Sequence, residues 1–208
     1  MRKLSILLLV IVVSLNLYAI NEERETAKES ESTSFQPKPL DDDWSKWFAG
    51  EWEGLAESDA GTAKLSIKID FGLNGQFLIM KGESEITELS DTQRQYLKDT
   101  LSAPDEDVES YQSSTFRDLQ ILTIDPKTGE VVGYLFDSMR CIAEGRGRRQ
   151  GNKQIIEWKW FVTAQGATSV GVIEKIDDNK FTLNHKYTLP NGEKMEDNVE
   201  MIRIKTAE

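Results

Sequence analysis

From Glu51 to Lys205 the chain is a succession of strand-like runs joined by short turns, and this pattern constrains its fold more than any other feature. Apolar and polar residues alternate within the runs, which puts successive side chains on opposite faces of a strand. Asn74-Gly75 is a strong two-residue hairpin signal. About ten such strands in meander order predict an all-β fold, a closed antiparallel up-and-down barrel. The predicted runs are 51–58, 64–70, 76–85, 113–124, 131–138, 140–147, 154–162, 168–176, 180–189 and 194–205.

Two helices are predicted in addition to the strands. Asp41, Asp42 and Asp43 precede an apolar stripe of Trp44, Trp47 and Phe48 at helical spacing. This pattern indicates a short helix that lies directly before the first strand and plugs one barrel end. A second, acidic segment at 88–109 interrupts the strands. It contains the capping-box pattern 90–93, which predicts a helix from about Asp91 to Ser102, ended by Pro104, that caps the barrel mouth.

The N-terminal residues have the features of an export signal. Arg2 and Lys3 precede an almost wholly apolar stretch, and Ala19 ends an acceptable cleavage site. We therefore expect a signal peptide at 1–19, a disordered acidic linker at 20–40 and one barrel domain at 41–208, with a secreted or periplasmic location. A single transmembrane anchor is the alternative, but the apolar stretch is short for a bilayer and polar residues follow at once, so no integral span is expected after cleavage.

Charge and cysteine content exclude several functions. Cleavage after Ala19 would leave 23 basic against 36 acidic residues, a formal charge of −13, which repels nucleic acids and anionic membrane surfaces. Cys141 is the only cysteine, so no intrachain disulfide can form, which fits a bacterial periplasm or extracellular space better than a disulfide-stapled secreted domain. One histidine and one cysteine cannot supply a typical structural zinc site.

The start of the predicted barrel resembles known families. Gly50, Trp52 and Gly54 follow the short helix as in lipocalins and related calycin barrels, and Arg203 on the last strand stands where such barrels have a basic residue over that tryptophan. A wider similarity, to the exported bacterial proteins of domain-of-unknown-function family 1579, rests on 50–54, 74–78, 122–125, 133–139 and 144–145. The resemblance implies a calycin-like barrel and no agreed activity, so it leaves the function open.

Candidate lumen residues come mainly from the later strands. Alternation predicts that Trp158 and Trp160 point inward from one strand, and His185 and Tyr187 from another; Tyr134 and Arg140 are further lumen candidates. His185, the only histidine, has two interpretations. It could hydrogen-bond a ligand or ligate haem iron, as an inward histidine does in nitrobindin-like barrels, or it could be a neutral core histidine. The chain resembles the Gly-x-Trp-x-Gly-x-Gly start of those barrels except for Ala56 at the last glycine.

A basic patch at 146–152 stands out on this acidic chain. Arg146, Arg148 and Arg149 could form a loop that attracts a carboxylate or phosphate to the barrel mouth, because guanidinium groups bind such anions bidentately. The alternative is a solvated hairpin tip that balances the acidic insertion.

The leading functional hypothesis is non-catalytic binding of a small apolar or amphipathic molecule in the barrel lumen. It requires a cavity above roughly 300 Å³. One alternative is a haem-binding or enzymatic barrel that uses His185 with Tyr187 or Arg140. The other is a barrel filled by its own side chains, which would act as a structural or interaction module. The sequence does not indicate the oligomeric state.

Overall fold

The computed structural model describes residues 37–58, 60–99 and 104–204, and within them ten antiparallel strands form a closed barrel. Each strand pairs with the next along the chain, and β10 pairs with β1 to close the ring. The predicted all-β, up-and-down barrel is confirmed. The strands are β1 Gly50–Ser58, β2 Gly61–Gly72, β3 Phe77–Leu89, β4 Thr115–Ile124, β5 Val131–Asp137, β6 Cys141–Gln150, β7 Lys153–Val162, β8 Thr168–Asp177, β9 Lys180–Thr188 and β10 Lys194–Arg203.

A short helix, α1 (Asp43–Phe48), closes one end of the barrel, which we call the plug end. Asp42 is its N-cap, and its carboxylate accepts hydrogen bonds from the Ser45 backbone N–H at 2.9 Å and hydroxyl at 2.7 Å. Trp47 and Phe48 are buried against the core, as the apolar stripe predicted. The helix is therefore fixed to the barrel by aromatic packing rather than by its own six-residue length.

Trp52 and Arg203 hold the plug end together. The Trp52 ring is fully buried, and its indole N–H donates to the Phe48 carbonyl at 3.0 Å. The Arg203 guanidinium lies 4.0 Å from the centre of the Trp52 ring, which is the contact that the resemblance implied. Arg203 also donates to the carbonyls of Ala49, Trp47 and Asp178, so one side chain joins α1, the β8–β9 turn and the last strand.

The two glycines of the β1 signature lie against the last strand. Gly50 has a φ of +132°, and a Cβ there would collide with the Arg203 guanidinium, so glycine satisfies both the backbone and the close approach. Gly54 lies opposite Met201 of β10, one of the fully buried residues of the core. Together with Met201, the buried rings of Phe48, Trp52 and Phe181 fill the half of the barrel near α1.

The insertion after β3 contains two helices rather than the single helix predicted. The first, α2 (Asp91–Asp99), begins where the capping box predicted, and the second, α3 (Asp105–Gln112), begins after Pro104. Pro104 was expected to end a helix, and it is also the N-cap of α3, since its fixed φ is compatible with a helix start. The acidic residues in the first turn of α3 stabilise the helix through its dipole. Leu97 and Val108 are buried with Leu89 in a small separate core. These two helices cover the opposite end, which we call the mouth.

The chain before α1 lies partly against the barrel. Residues 37–40, which the sequence analysis assigned to the linker, contact the β2–β3 turn: Leu40 donates its N–H to the Gly75 carbonyl at 2.8 Å, and Gln76 donates to the Pro37 carbonyl at 2.8 Å. The predicted signal peptide and residues 20–36 of the predicted linker lie outside the described residues. Of the helices in the described part of the chain, none is long and apolar enough to cross a bilayer.

We expect the substitution Arg203→Lys to lower the free energy of unfolding by roughly 1–3 kcal/mol, because a lysine cannot reproduce three carbonyl hydrogen bonds and the flat contact with Trp52. Urea unfolding followed by tryptophan fluorescence measures the change. Arg148→Lys, on the exposed face of β6, is the matched control and should change stability little. Equal stability of the two variants would contradict the proposed role of Arg203.

Candidate functional site

A cavity of about 400 Å³ occupies the half of the barrel nearest the mouth. Its size exceeds the roughly 300 Å³ that a small-molecule site needs. Inner faces of the barrel form its walls, and Gln93 of α2 and Tyr111 of α3 line it on the side of the mouth. The apolar and aromatic lining residues are Ala56, Ala60, Ala63, Leu65, Ile67, Ile86, Leu89, Tyr111, Phe116, Leu135, Trp160, Leu183, Tyr187 and Val199.

His185, Tyr187 and Trp160 form one contiguous polar-aromatic group in the cavity wall. The His185 and Tyr187 rings lie 4.1 Å apart between centres, and the Trp160 ring lies 6.1 Å from that of Tyr187. Ser169 joins them, since its hydroxyl accepts from the Trp160 indole N–H at 2.9 Å and lies 2.9 Å from His185 Nε2. Burial lowers the pKa of His185 to about 4, so the ring is neutral near pH 7.

Three aspartates also line the cavity, and each comes from a different strand. Asp118 lies on β4, Asp137 at the end of β5 and Asp197 on β10. Burial raises the pKa of Asp118, and the neighbouring charge of Asp137 adds to the effect, while a hydrogen bond from Gln120 at 3.1 Å opposes it. Burial raises the pKa of Tyr187, and the negative charges of Asp197, Asp118 and Asp137 raise it further. The three carboxylates therefore act on one region of the cavity.

Two of the predicted lumen residues, Tyr134 and Arg140, do not lie in the lumen. Tyr134 is 46% exposed because β5 alternates, with Gly133 and Leu135 pointing inward and Tyr134 outward. Arg140 is exposed in the β5–β6 turn, where its φ is +63°, and so lies beyond the strand. Both predictions were wrong.

A third lumen candidate, Trp158, points inward as predicted but belongs to the packed core. Its ring lies against Gly145 of β6 and near Gly133 of β5, where small residues leave room for it. It is 5% exposed and is not part of the cavity wall. The structure thus brings three of the predicted lumen residues, His185, Tyr187 and Trp160, together in the cavity wall. It places the fourth, Trp158, in the packed core.

The predicted anion-attracting loop is not a loop. β6 continues to Gln150, so Arg146 and Arg148 point outward from a strand, where Arg146 pairs with Glu130 at 3.1 Å. Arg149 points inward at the plug end and pairs with Asp42 at 2.5 Å. Alternation along the strand thus places Arg149 on the opposite face from Arg146 and Arg148. Arg149 also lies at the plug end, which is the end of the barrel away from the mouth. The prediction was wrong because the turn is formed by the next residues, 151–152.

The sequence analysis missed the inward aspartates, although a signal for them exists. Phe116, Asp118, Gln120 and Leu122 share one face of β4, so a carboxylate stands on an otherwise core-forming face. Asp197 stands in the same way on the face of β10 that continues to Val199 and Met201. A charged residue in the inward register of a barrel strand is the pattern that would have found both.

Two observations count against haem at His185. Its Nε2 atom, a usual iron-binding atom of histidine, contacts the Ser169 hydroxyl at 2.9 Å, and the Tyr187 ring lies 4.1 Å from the His185 ring. The three aspartates would also repel the two propionate groups of haem. Among the described residues, no group of three or more histidine, cysteine or acidic side chains could hold a metal ion.

No family model matches this chain, and no curated protein matches it. Among solved structures, it is similar to an S-type phycobiliprotein lyase, CPES, from Guillardia theta, with 12% identity, a TM-score of 0.48, and coverage of 79% of this chain and 92% of that one. It is also similar to EF1p2_mFAP2b bound to DFHBI, with 8% identity, a TM-score of 0.34, and coverage of 76% and 95%. The resemblance to family 1579 stays a prediction.

The neutral state of His185 makes a pH prediction. Because its folded pKa is about 4 against an ordinary 6.5, the unfolded chain takes up this proton first as the pH falls. We expect His185 to contribute a loss of up to roughly 3 kcal/mol of unfolding free energy between pH 6.5 and 4. The measurement is urea unfolding across this range for the wild type and for His185→Gln, whose amide can still contact Ser169.

The difference between the two proteins isolates the histidine, because other groups, including Asp118 with its raised pKa, titrate in both. The wild type should lose stability more steeply than the variant as the pH falls. Parallel pH dependences would contradict a neutral, buried His185.

Proposed function

We propose that this protein binds a small, largely apolar molecule in the cavity beneath α2 and α3, without catalysing its conversion. The observation that carries the proposal is the cavity itself, about 400 Å³ lined by the barrel walls and by residues of two helices. That volume lies in the range of small-molecule sites, which are mostly apolar with a few polar groups. The wall has this composition, since leucine, isoleucine and aromatic side chains surround a few carboxylates and His185.

The architecture supports a preformed site. Closure of the sheet leaves no strand with a free edge, and the packed core at the plug end supports the cavity from below. The helical cap is attached differently. It rests on the small core of Leu89, Leu97 and Val108, and Arg94 of α2 hydrogen-bonds to Gln112 of α3. A rigid wall with a lightly attached cover suits a site that must admit and release its ligand.

The alternatives have less support. The filled-barrel hypothesis describes only the half of the barrel near α1, since the other half contains the cavity. The catalytic hypothesis used His185 with Tyr187 or Arg140, but Arg140 is exposed in a turn and His185 Nε2 is engaged by Ser169. Binding therefore accounts for more of the observed geometry than either alternative.

We expect the protein to bind N-phenylnaphthylamine, an uncharged probe that becomes fluorescent in apolar surroundings, and the variant Ala56→Phe to weaken that binding at least about tenfold. Ala56 lines the cavity, so a phenyl ring there would occupy ligand space. Fluorescence titration measures the affinity. Leu55→Phe, the adjacent outward position that is 45% exposed, is the matched control and should bind as the wild type does.

Circular dichroism and urea unfolding should show that Ala56→Phe is folded. Ala63→Leu, directly opposite Ala56 on β2, gives a second filling variant. If neither filling variant affects probe binding, the probe binds elsewhere and the proposed site is wrong.

We further propose that the protein acts outside the cytoplasm, supported by the basic start, the apolar stretch and the small residue at Ala19. Expression in a bacterial host followed by cell fractionation and intact mass measurement tests this. The expected product is found outside the cytoplasm and begins at Ile20. A full-length mass in the cytoplasmic fraction would contradict it.

A further inference from the structure

The cavity is a site on geometric grounds, and the charges of its walls indicate what it takes. Asp118, Asp137 and Asp197 line it, whereas Arg117 is the basic residue among its described lining residues. Arg117 does not neutralise Asp118 or Asp137. Its Nε donates to Glu83 at 2.7 Å on the outside of the barrel, and its side chain is 67% exposed. The positive charge of Arg117 is therefore turned away from these two carboxylates.

Asp118 and Asp137 are arranged at a cost in stability. They lie directly opposite each other across the β4–β5 pairing, where like charges repel. Asp118 also lies close against Gly82 of β3, and a Cβ at that position would collide with its carboxylate. A side chain is thus absent from β3 where the carboxylate needs space. Gln120 donates one hydrogen bond to Asp118, a neutral partner that leaves the charge of the pair uncompensated.

The aspartates differ in how far their hydrogen bonds are already used. Asp137 accepts the backbone N–H groups of Met139 at 2.8 Å and Cys141 at 2.9 Å through its Oδ1 atom, which fixes its orientation at the end of β5. Asp197 lies opposite His185 in the β9–β10 register, and that ring is neutral. None of the contacts described for Asp118 and Asp137 supplies a positive charge to them. A cation beside this pair would therefore meet carboxylates that are held by neutral donors.

Aromatic rings surround the same space. Trp160 and Tyr187 lie on the barrel wall. Tyr111 belongs to α3, and its ring lies 5.5 Å from that of Phe116 at the mouth end of β4. The faces of such rings attract cations, and tryptophan attracts them most strongly. They also offer apolar surface to the body of a ligand. Carboxylates and aromatic rings in one cavity are complementary to a molecule that joins an apolar body to a positive charge.

We propose that the ligand is an amphipathic cation, an amine or amidine on an apolar body, with its charged group beside Asp118 and Asp137. This inference rests on the proposed binding function and specifies the ligand class of the same site. The charged group would relieve the repulsion between the two carboxylates, and the apolar body would pack among the aromatic rings. Neutral apolar molecules would use only the second set of contacts, and anions would be repelled.

The test compares three compounds of the same shape: naphthylmethylamine, naphthylmethanol and naphthoic acid, which near pH 7 are a cation, a neutral molecule and an anion. Isothermal titration calorimetry with the wild-type protein at low salt measures each affinity. We expect the amine to bind about tenfold more tightly than the alcohol, and the acid to bind more weakly than both. Added salt should reduce the difference, since screening weakens charge attraction.

Asp118→Asn removes one charge and keeps an oxygen that can accept from Gln120. It should reduce the affinity for the amine about tenfold and leave that for the alcohol almost unchanged. Asp70→Asn, an exposed position on β2, removes the same charge outside the cavity and should leave the preference intact. Asp197→Asn provides a second interior variant if Asp118→Asn does not fold.

Equal affinities for the three wild-type titrations, tighter binding of the acid, or no binding of the amine would each overturn the inference. The same is true if the interior and exterior variants behave alike. The N-phenylnaphthylamine titration is separate, because that probe is uncharged. Binding of the probe without a preference for the amine would leave the proposed function standing and reject only the cationic ligand class.

Discussion

The structure depends on the way one end of the barrel is closed. Trp52, the third residue of β1, is fully buried, and Arg203 at the end of β10 covers its ring while donating to carbonyls of α1 and of the β8–β9 turn. A barrel has no free edge, so its first and last strands must be held in register at the place where the ring is completed. The tryptophan and arginine hold them there. The half of the barrel that contains the cavity continues from this closed end.

The two halves of the barrel differ in composition for a physical reason. Near α1 the buried residues are mostly large and apolar, and they pack into one core. Towards the mouth the same inward register carries alanines at Ala56 and Ala63, the neutral His185 and the inward aspartates. Small residues create volume, and buried carboxylates cost stability unless something compensates them. The stability supplied by the filled half offsets the cost of the open half.

Much of the fold could be predicted from the sequence, because alternation and turn chemistry are local signals. All ten strands were found, and α1 and the start of α2 follow from capping and helical spacing. Helix α3 was missed because its acidic first turn, after Pro104, looks like solvated charge unless it is recognised as a helix start. The arginine cluster was misassigned because β6 runs past the point where its alternation weakens.

The site was only partly predictable. His185, Tyr187 and Trp160 were assigned to the interior by their alternation with polar neighbours, and they do lie together. Whether an inward residue faces a cavity or a packed core depends on the side chains opposite it, which come from distant strands. Trp158 shares its face with Trp160, yet glycines on β5 and β6 draw it into the core. These contacts between side chains depend on the pairing register of neighbouring strands, and the sequence pattern of one strand does not specify that register.

The pairing of β1 with β10 also has a consequence for how the chain is made. The first strand pairs with β2 at once but cannot gain its second partner, β10, until the last strand has been synthesised, so the ring stays open through nearly the whole of translation. Until then two strand edges stay available to other chains.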